Sequence, residues 1–443
     1  MSDFDAVVVG AGVSGLTAAR LLAAGGQRVV VLEARDRLGG RTWTQRTGGF
    51  TADRGASWIH GVDGNPLTEV VRGFGMRTIE HTVGSYQPDG RPIAYYGPTG
   101  ERLGDDAVRR FADDVRAAEG RLATAVAASA PGDTYQQMIE TALAALGWDA
   151  DRAERVREFL RHRSEEQYGV SAEGLAAHGL DDDTVAGDEV VFPDGYDQLA
   201  THLAQGLDIR LNHVVQRVQW TADGVTVCCG LGQFTAARAV VTVPIGVLQS
   251  GDLAFEPALP EPVAGAVAGL QMNDFEKVFL RFPTRFWDAG VYAIRRQGEA
   301  GLWWHSWYDL TPLDGVPTLL TFAAGPSAIA TREWPADRVV ASVLDGLRGL
   351  YGDRVEEPTQ VLITDWQDDP FSHGSYAYLK PGADAAGHDL IATPIGGVLH
   401  LAGEATWGDD PATVTAALRS GHRAAEAILG RALPFSDLTR PLR

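Results

Sequence analysis

The feature that most constrains this chain is the triplet Gly10, Gly12 and Gly15. Its G-x-G-x-x-G spacing lies between an apolar β-type run, Asp5 to Val9, and an apolar helical run, Ser14 to Ala24. A second β-type run, Arg28 to Leu32, ends on Glu33, 18 residues after Gly15. In a βαβ unit each of these residues has a task. Gly10 permits the tight turn, Gly12 lets a pyrophosphate approach the backbone at the positive end of the helix, and Gly15 lets helix and strand pack closely. Glu33 can accept hydrogen bonds from a ribose diol, with Val13, Ser14, Ala34 and Arg35 beside the same turn. Glycine spacing alone is weak evidence. The strand–turn–helix context and the placed acid make it a dinucleotide site.

At 443 residues and 45 % hydrophobic content the chain exceeds what one core usually organises, so two domains are expected. The first strand begins almost at Met1, which leaves no room for a signal peptide, and no apolar run reaches the roughly 20 residues that span a bilayer. The two cysteines, Cys228 and Cys229, are neighbours in a strand-like stretch, where a mutual disulfide would be strained. Reduced thiols, a cytoplasmic location and no membrane anchor are expected. A formal charge of −20 argues against nucleic acid. It is compatible with a cationic substrate, although acidity also serves solubility alone.

Residues 104–163 read as three or so helices, broken near Pro131-Gly132 and Gly147, in a separate helical layer. Strand signals return at Val190–Phe192, Ile209–Leu211, Val214–Val218, Val225–Cys229 and Ala239–Val243, as a meander plus another strand of the opening sheet. A run at Lys277–Phe282 leads into an aromatic stretch with Phe286, Trp287, Trp303, Trp304, Trp307 and Tyr308, which reads either as a substrate wall or as a packed core sheet. Val398–Ala402 reads as a strand and Ala412–Leu429 as a helix. No zinc spacing and no Ser-His-Asp constellation occurs, so no metal is expected.

After the acid comes Asp36-Arg37-Leu38-Gly39-Gly40-Arg41, two glycines flanked by arginines. Near the C-terminus stands Leu401-Ala402-Gly403-Glu404-Ala405-Thr406-Trp407, followed by Pro411-Ala412-Thr413-Val414. With these motifs the sequence resembles the flavin-containing amine oxidases, the group of monoamine oxidases, polyamine oxidases and flavin histone demethylases, over nearly its whole length. The resemblance implies an α/β fold, a Rossmann-like FAD-binding domain of the GR2 flavoprotein type with a discontinuous α+β substrate-binding domain. The FAD-binding domain is expected at 1–75, 186–262 and 396–432. The substrate-binding domain is expected at 76–185 and 263–395, with the helical segment 104–165.

By the same resemblance, Gly39, Gly40 and Arg41 meet the cofactor's phosphates and flavin end, Val215 holds adenine, and Gly403 and Glu404 face the ribityl region. Thr413 and Val414 start a helix near the flavin's pyrimidine carbonyls. Lys277 matches the active-site lysine that holds a water against flavin N5, and Trp366 and Phe371 pack beside the ring. Tyr376 matches one wall of the aromatic cage that the substrate amine passes. The opposite wall aligns with Thr413, which is not aromatic, as in the polyamine oxidase and demethylase branch. Ser375 stands where monoamine oxidases carry the cysteine bonded to the flavin, so the FAD is expected to be noncovalent.

Gly55-Ala56-Ser57-Trp58-Ile59-His60-Gly61 looks most like the polyamine and spermine oxidases. Gly55, Ala56, Ser57 and Trp58 are expected at the cofactor, with Trp58, His60, Tyr376 and Thr413 at the substrate. Trp58 replaces the arginine by which L-amino-acid oxidases clamp a carboxylate. His60 is expected to favour the neutral amine. Glu165, Glu166, Asp63 and Glu189 are all candidates for a distant ammonium. The expected reaction is hydride transfer from the carbon beside nitrogen to flavin N5, imine hydrolysis, and reduction of O2 to hydrogen peroxide, by a monomer or homodimer acting on a small amine. Two alternatives stand: an amino-acid oxidase or monooxygenase with Arg281, Arg295 or Arg296 as the clamp, and a FAD-binding interaction module with little turnover.

Overall fold

The computed structural model describes residues 2–83, 91–179 and 185–442. Two sheets organise it. The larger, of eight strands, is built around Phe4–Val9, with Val29–Leu32 and then Asp208–Arg210 parallel on one side. Along Phe4–Val9, Ala6 and Val8 enter one hydrophobic cluster while Val7 and Val9 enter another. A strand buried on both faces reads as an unbroken apolar run, which is why this one was legible.

On its other side lies Gly232–Val241, and here the expected separate strand at Ala239–Val243 gives way to one longer strand. Its first half pairs antiparallel with Gly224–Cys229, and its second half lies parallel to Leu399–Leu401. A polar, half-exposed first half hid this continuity from the hydrophobic pattern. Val215–Thr221 and Ala254–Glu256 complete the sheet. The helices Val13–Ala24 and Val414–Leu429 pack against each other so closely that a Cβ on Gly421 would lie 2.0 Å from the Ser14 carbonyl oxygen.

The second sheet has six strands, in the order Gln360–Ile363, Phe275–Arg281, Thr318–Ala324, Ser306–Asp309, Ala293–Arg296 and Ile93–Tyr96. One face packs on the helices Asp105–Ala127, Tyr135–Ala144 and Ala150–Tyr168, the helical layer expected at 104–163. Thr134 caps Tyr135–Ala144, and Ala150–Tyr168 starts at the Asp149 cap and ends at Gly169, in the left-handed region. The opposite face packs on Ala336–Tyr351.

Strand alternation divides the aromatic stretch. Trp307 is fully buried with Phe286, Trp287 and Trp304 on the Ala336–Tyr351 side, while Tyr308 points to the other face. Most of the stretch is therefore core and does not form a substrate wall; Tyr308 is the exception. Among the described residues no helix is long and apolar enough to cross a membrane.

Candidate active site

A cavity of about 1130 Å³ runs between the two sheets. Every residue expected at the site borders it except Gly15. One end holds Gly10, Gly12, Val13, Ser14, Glu33, Ala34, Arg35, Gly39, Gly40, Arg41 and Val215. Gly403, Glu404, Thr413 and Val414 line its length, with Trp366 and Phe371, and Gly55, Ala56, Ser57, Trp58, His60, Lys277 and Tyr376 lie towards the other sheet.

The three glycines separate by what a side chain would meet. Gly10 has φ of +101°, and a Cβ there would lie 2.6 Å from Thr242 Oγ1. A Cβ on Gly15 would lie 2.0 Å from the Gly10 carbonyl oxygen, so Gly15 is required by strand–helix packing. At Gly12 a Cβ would meet nothing nearer than 4.0 Å, and its φ of −77° suits any residue. Nothing in the protein requires glycine at 12; the open space in front of it suits a ligand. Gly12 also starts its helix without a side-chain cap, which leaves the first amides for an anion.

Both oxygens of Glu33 accept backbone amides, from Ala11 at 2.7 Å and Arg35 at 2.9 Å, so the acid also fixes the turn it faces. The Gly39 amide donates to the Ala11 carbonyl oxygen at 2.9 Å, which ties the second glycine pair to the first turn. Arg35 forms a two-pronged pair with Asp369 at 2.6 and 2.8 Å and lies over the Phe371 ring. Arg41 Nη1 donates to Glu404 Oε1 at 2.7 Å and to the Ser375 carbonyl oxygen at 3.0 Å. Glu404 Oε2 is buried with no hydrogen-bond partner. A buried carboxylate oxygen left open beside an arginine, and an uncapped helix end, fit a polar phosphate-bearing group.

Thr413 caps the helix Val414–Leu429, its Oγ1 accepting from the Ala416 amide at 3.0 Å. Its hydroxyl donates to the Asp410 carbonyl oxygen at 2.9 Å. Ser375 Oγ donates to the Phe275 carbonyl oxygen at 2.7 Å.

At the other end Lys277, on Phe275–Arg281, is buried. Its Nζ donates to the Gly55 carbonyl oxygen at 2.5 Å, Ser57 Oγ at 2.6 Å and the Asp53 carbonyl oxygen at 3.1 Å. Burial holds this amine below the usual lysine range, against the pull of the Asp53 carboxylate, and burial raises Asp53. Sequence reading passed over Asp53, which carries no signal beyond standing two residues before Gly55.

The Trp58 ring stacks on His60, with centroids 6.4 Å apart, and meets Tyr308 edge-on. His60 lies half-exposed, with Nδ1 2.5 Å from Oε1 of the fully buried Glu189. Tyr376 packs on Phe275 at 5.6 Å. Glu166 borders the cavity with Tyr308, whose hydroxyl donates to Glu166 Oε2. Of the other acids considered, Asp63 borders the cavity and Glu165 does not. None of Arg281, Arg295 and Arg296 borders it; Arg281 pairs with Asp314 at 2.6 Å, and Arg296 reaches the Gly346 carbonyl oxygen. Burial pushes Glu166 up from the usual carboxylate range, with Arg295 opposing.

The comparisons with known proteins agree with this geometry. The family described as flavin containing amine oxidoreductase matches residues 13–429. Lysine-specific histone demethylase 1 homolog 3 of Oryza sativa subsp. japonica is 33% identical in an alignment of 448 positions that covers 95% of this chain and 53% of that protein. Lysine-specific histone demethylase 2 of Homo sapiens is 31% identical in an alignment of 440 positions that covers 95% of this chain and 53% of its own length. The chain thus spans about half the length of these curated relatives. Among solved structures, wild-type putrescine oxidase bound to putrescine matches with a TM-score of 0.79, and cyclohexylamine oxidase from Brevibacterium oxydans IH-35A with 0.81. Each is 24% identical and covers 97% of this chain and 99% of its own, a likeness of fold. With the glycine turns, the Lys277 strand and the Gly403–Val414 segment meeting in one cavity, the chain belongs to the flavin containing amine oxidoreductase family.

Proposed function

We propose that the protein is an FAD-dependent oxidase acting on a C–N bond of a polyamine or related amine, with O2 reduced to hydrogen peroxide and the imine hydrolysed. The observation that carries this reading is the single cavity. It joins an anion-ready glycine turn to an aromatic pocket holding Trp58, Tyr308 and Tyr376, with a buried lysine and a buried carboxylate, Glu166.

The residues fit the cofactor. The open space at Gly12, the uncapped helix and Arg41 suit the diphosphate, Glu33 the ribose, Glu404 the ribityl chain, and Val215 the adenine. The Ser375 hydroxyl forms no thioether, so the group is held noncovalently. When bound, FAD supplies the acceptor for the hydride released from the carbon beside nitrogen. In this division of labour 1–75, 186–262 and 396–432 hold the cofactor, and 76–185 and 263–395 shape the substrate's side.

Trp58 and Tyr376 orient the amine between apolar surfaces and exclude bulk water. Glu166 offers the negative charge that a cationic substrate meets. His60, at the half-exposed edge of the pocket and paired with Glu189, acts at entry, where it favours the neutral amine. Lys277 Nζ holds a water at the reacting end by exchanging its Ser57 contact for it.

The amino-acid-oxidase alternative has less support, since none of its three candidate arginines borders the cavity. The test is a peroxide assay with spermine, spermidine, putrescine, cyclohexylamine, a methylated-lysine histone peptide and L-amino acids, on yellow protein whose flavin is identified after denaturation. Turnover of polyamines or related amines supports the proposal. Colourless protein that takes up no FAD, or activity confined to L-amino acids, overturns it.

A further inference from the structure

Behind the pocket, starting from Glu166 and Tyr308 on its wall, lies a line of buried polar side chains that leads away from the cavity. The helix Ala150–Tyr168 supplies His162, Glu165 and Glu166, and the segment 295–308 supplies Arg295, His305, Ser306 and Tyr308. His305 Nδ1 lies 3.2 Å from Glu166 Oε1 and 3.1 Å from Ser306 Oγ, while Nε2 faces Glu165 Oε2 at 3.9 Å. Glu166 borders the cavity; His305 and Glu165 do not. Side-chain exposure rises along the line from 5% at Glu166 and 7% at His305 to 15% at Glu165. One imidazole therefore stands between two carboxylates, one on the cavity and one towards solvent.

His162, Glu165 and His305 place ligand atoms within 4.8 Å of one another, which is also a spacing a metal ion uses. The ring geometry favours protons. His162 and His305 are stacked with centroids 3.7 Å apart and planes 4° from parallel. Imidazole lone pairs lie in the ring plane, and two parallel planes do not meet at an ion. His162, Glu165, Glu166 and Arg295 face His305; Tyr308 and Arg295 act on Glu166, Arg161 acts on His162 and Glu165, Glu173 acts on Glu165, and Arg295 also holds Tyr95. Burial holds His305 well below the usual histidine range and His162 down to about 3, and it raises Glu165 to about 8. A ring kept neutral does not store a proton. It accepts one on one nitrogen only as it releases one from the other.

We propose that Glu166, His305 and Glu165 form a proton path between the substrate pocket and solvent. The path rests on the amine-oxidising reading above and says how its protons travel. Over one turnover a primary ammonium, O2 and water give an aldehyde, ammonium ion and hydrogen peroxide. One proton leaves when the substrate ammonium becomes the neutral amine, and one returns when O2 is reduced to peroxide. On the way out, the ammonium proton passes to the Glu166 carboxylate and on to Nδ1 of His305, while the proton on Nε2 passes to one oxygen of Glu165 as the other oxygen gives its proton to solvent. The ring is left as its other tautomer. On the way in, the same transfers run in reverse and restore the first tautomer, so the ring never has to flip, a motion that stacking on His162 opposes.

The test mixes the yellow holoenzyme anaerobically with the amine found active in the peroxide assay, in weak buffer with a pH indicator. The wild type is expected to release one proton as the colour bleaches. His305→Gln is expected to slow both proton release and kcat about 10-fold or more while KM stays within about 2-fold. Glu165→Gln, at the solvent end, guards against a His305 variant that fails to fold; its slowed release is expected to recover as small buffer bases are added to take up the proton. Independently of turnover, NMR of protein with 15N-labelled histidine is expected to find His305 neutral and protonated on Nε2 before the amine is added. Wild-type proton release in both variants, a charged His305, or one tightly held divalent metal lost on His162→Ala would overturn the proton path alone. Wild-type protein that bleaches with no amine rejects the functional reading beneath it.

Discussion

Lys277 Nζ donates to Ser57 Oγ across 2.6 Å, so a residue of the second sheet is tied to the strand-and-turn segment that leads into Trp58. The Gly55 and Asp53 carbonyl oxygens complete the grip. The lysine thus anchors the pocket wall as well as facing the cavity, and its replacement has two separable consequences.

Lys277→Met keeps the stem's volume but removes the donor to two carbonyl oxygens. We expect the protein to retain its flavin and to turn over about 100-fold more slowly. Stopped-flow reduction and reoxidation measure this, and unchanged kinetics in both half-reactions contradict a role for the amine.

Gly12→Ala and Gly15→Ala separate ligand from fold. The first has room for its Cβ, so the apoprotein should lose no more than about 1 kcal/mol of stability while flavin retention falls sharply. The second drives a methyl group into the Gly10 carbonyl oxygen, and a loss above about 4 kcal/mol, with little soluble protein, is expected. Thermal melts of the apoproteins and flavin-to-protein absorbance ratios distinguish the two. A Gly12→Ala protein that binds flavin like the wild type contradicts the placement of the diphosphate.

Glu166→Gln removes a buried negative charge from the cavity wall and keeps a hydrogen-bonding partner for Tyr308. KM for a cationic amine should rise about 10-fold or more, the size of a lost charge-assisted contact. An unchanged KM would show that the substrate's charge is met elsewhere, with Asp63 the next candidate on the wall.

Glu165 gives a pH dependence of stability. Burial raises its folded-state value to about 8 from an ordinary 4.5. Between these limits the folded state binds more protons than the unfolded state. The contribution is therefore full below about pH 4.5 and is lost as pH rises towards about 8, with a slope of at most about 1.4 kcal/mol per pH unit. Melting temperatures of the apoprotein should fall over that window more steeply than those of Glu165→Gln. Parallel curves for the two proteins would contradict the buried state of this carboxyl.

The sequence by itself determined the local parts: the G-x-G-x-x-G turn, the Glu33 terminus, the Gly39-Gly40 pair, and helices whose caps and breaks are written within a few residues of each other. Such features are legible because backbone sterics and period-two or helical burial act between near neighbours. Tertiary structure alone decided that Trp307 is core while Tyr308 faces the pocket, since one position along a strand exchanges its two faces. It also decided that Arg41 meets Glu404, and that His162 lies against His305. Those partners are hundreds of residues apart or on separate elements, and no spacing rule carries the information; only the packing of the two sheets brings their charges and rings within reach of one another.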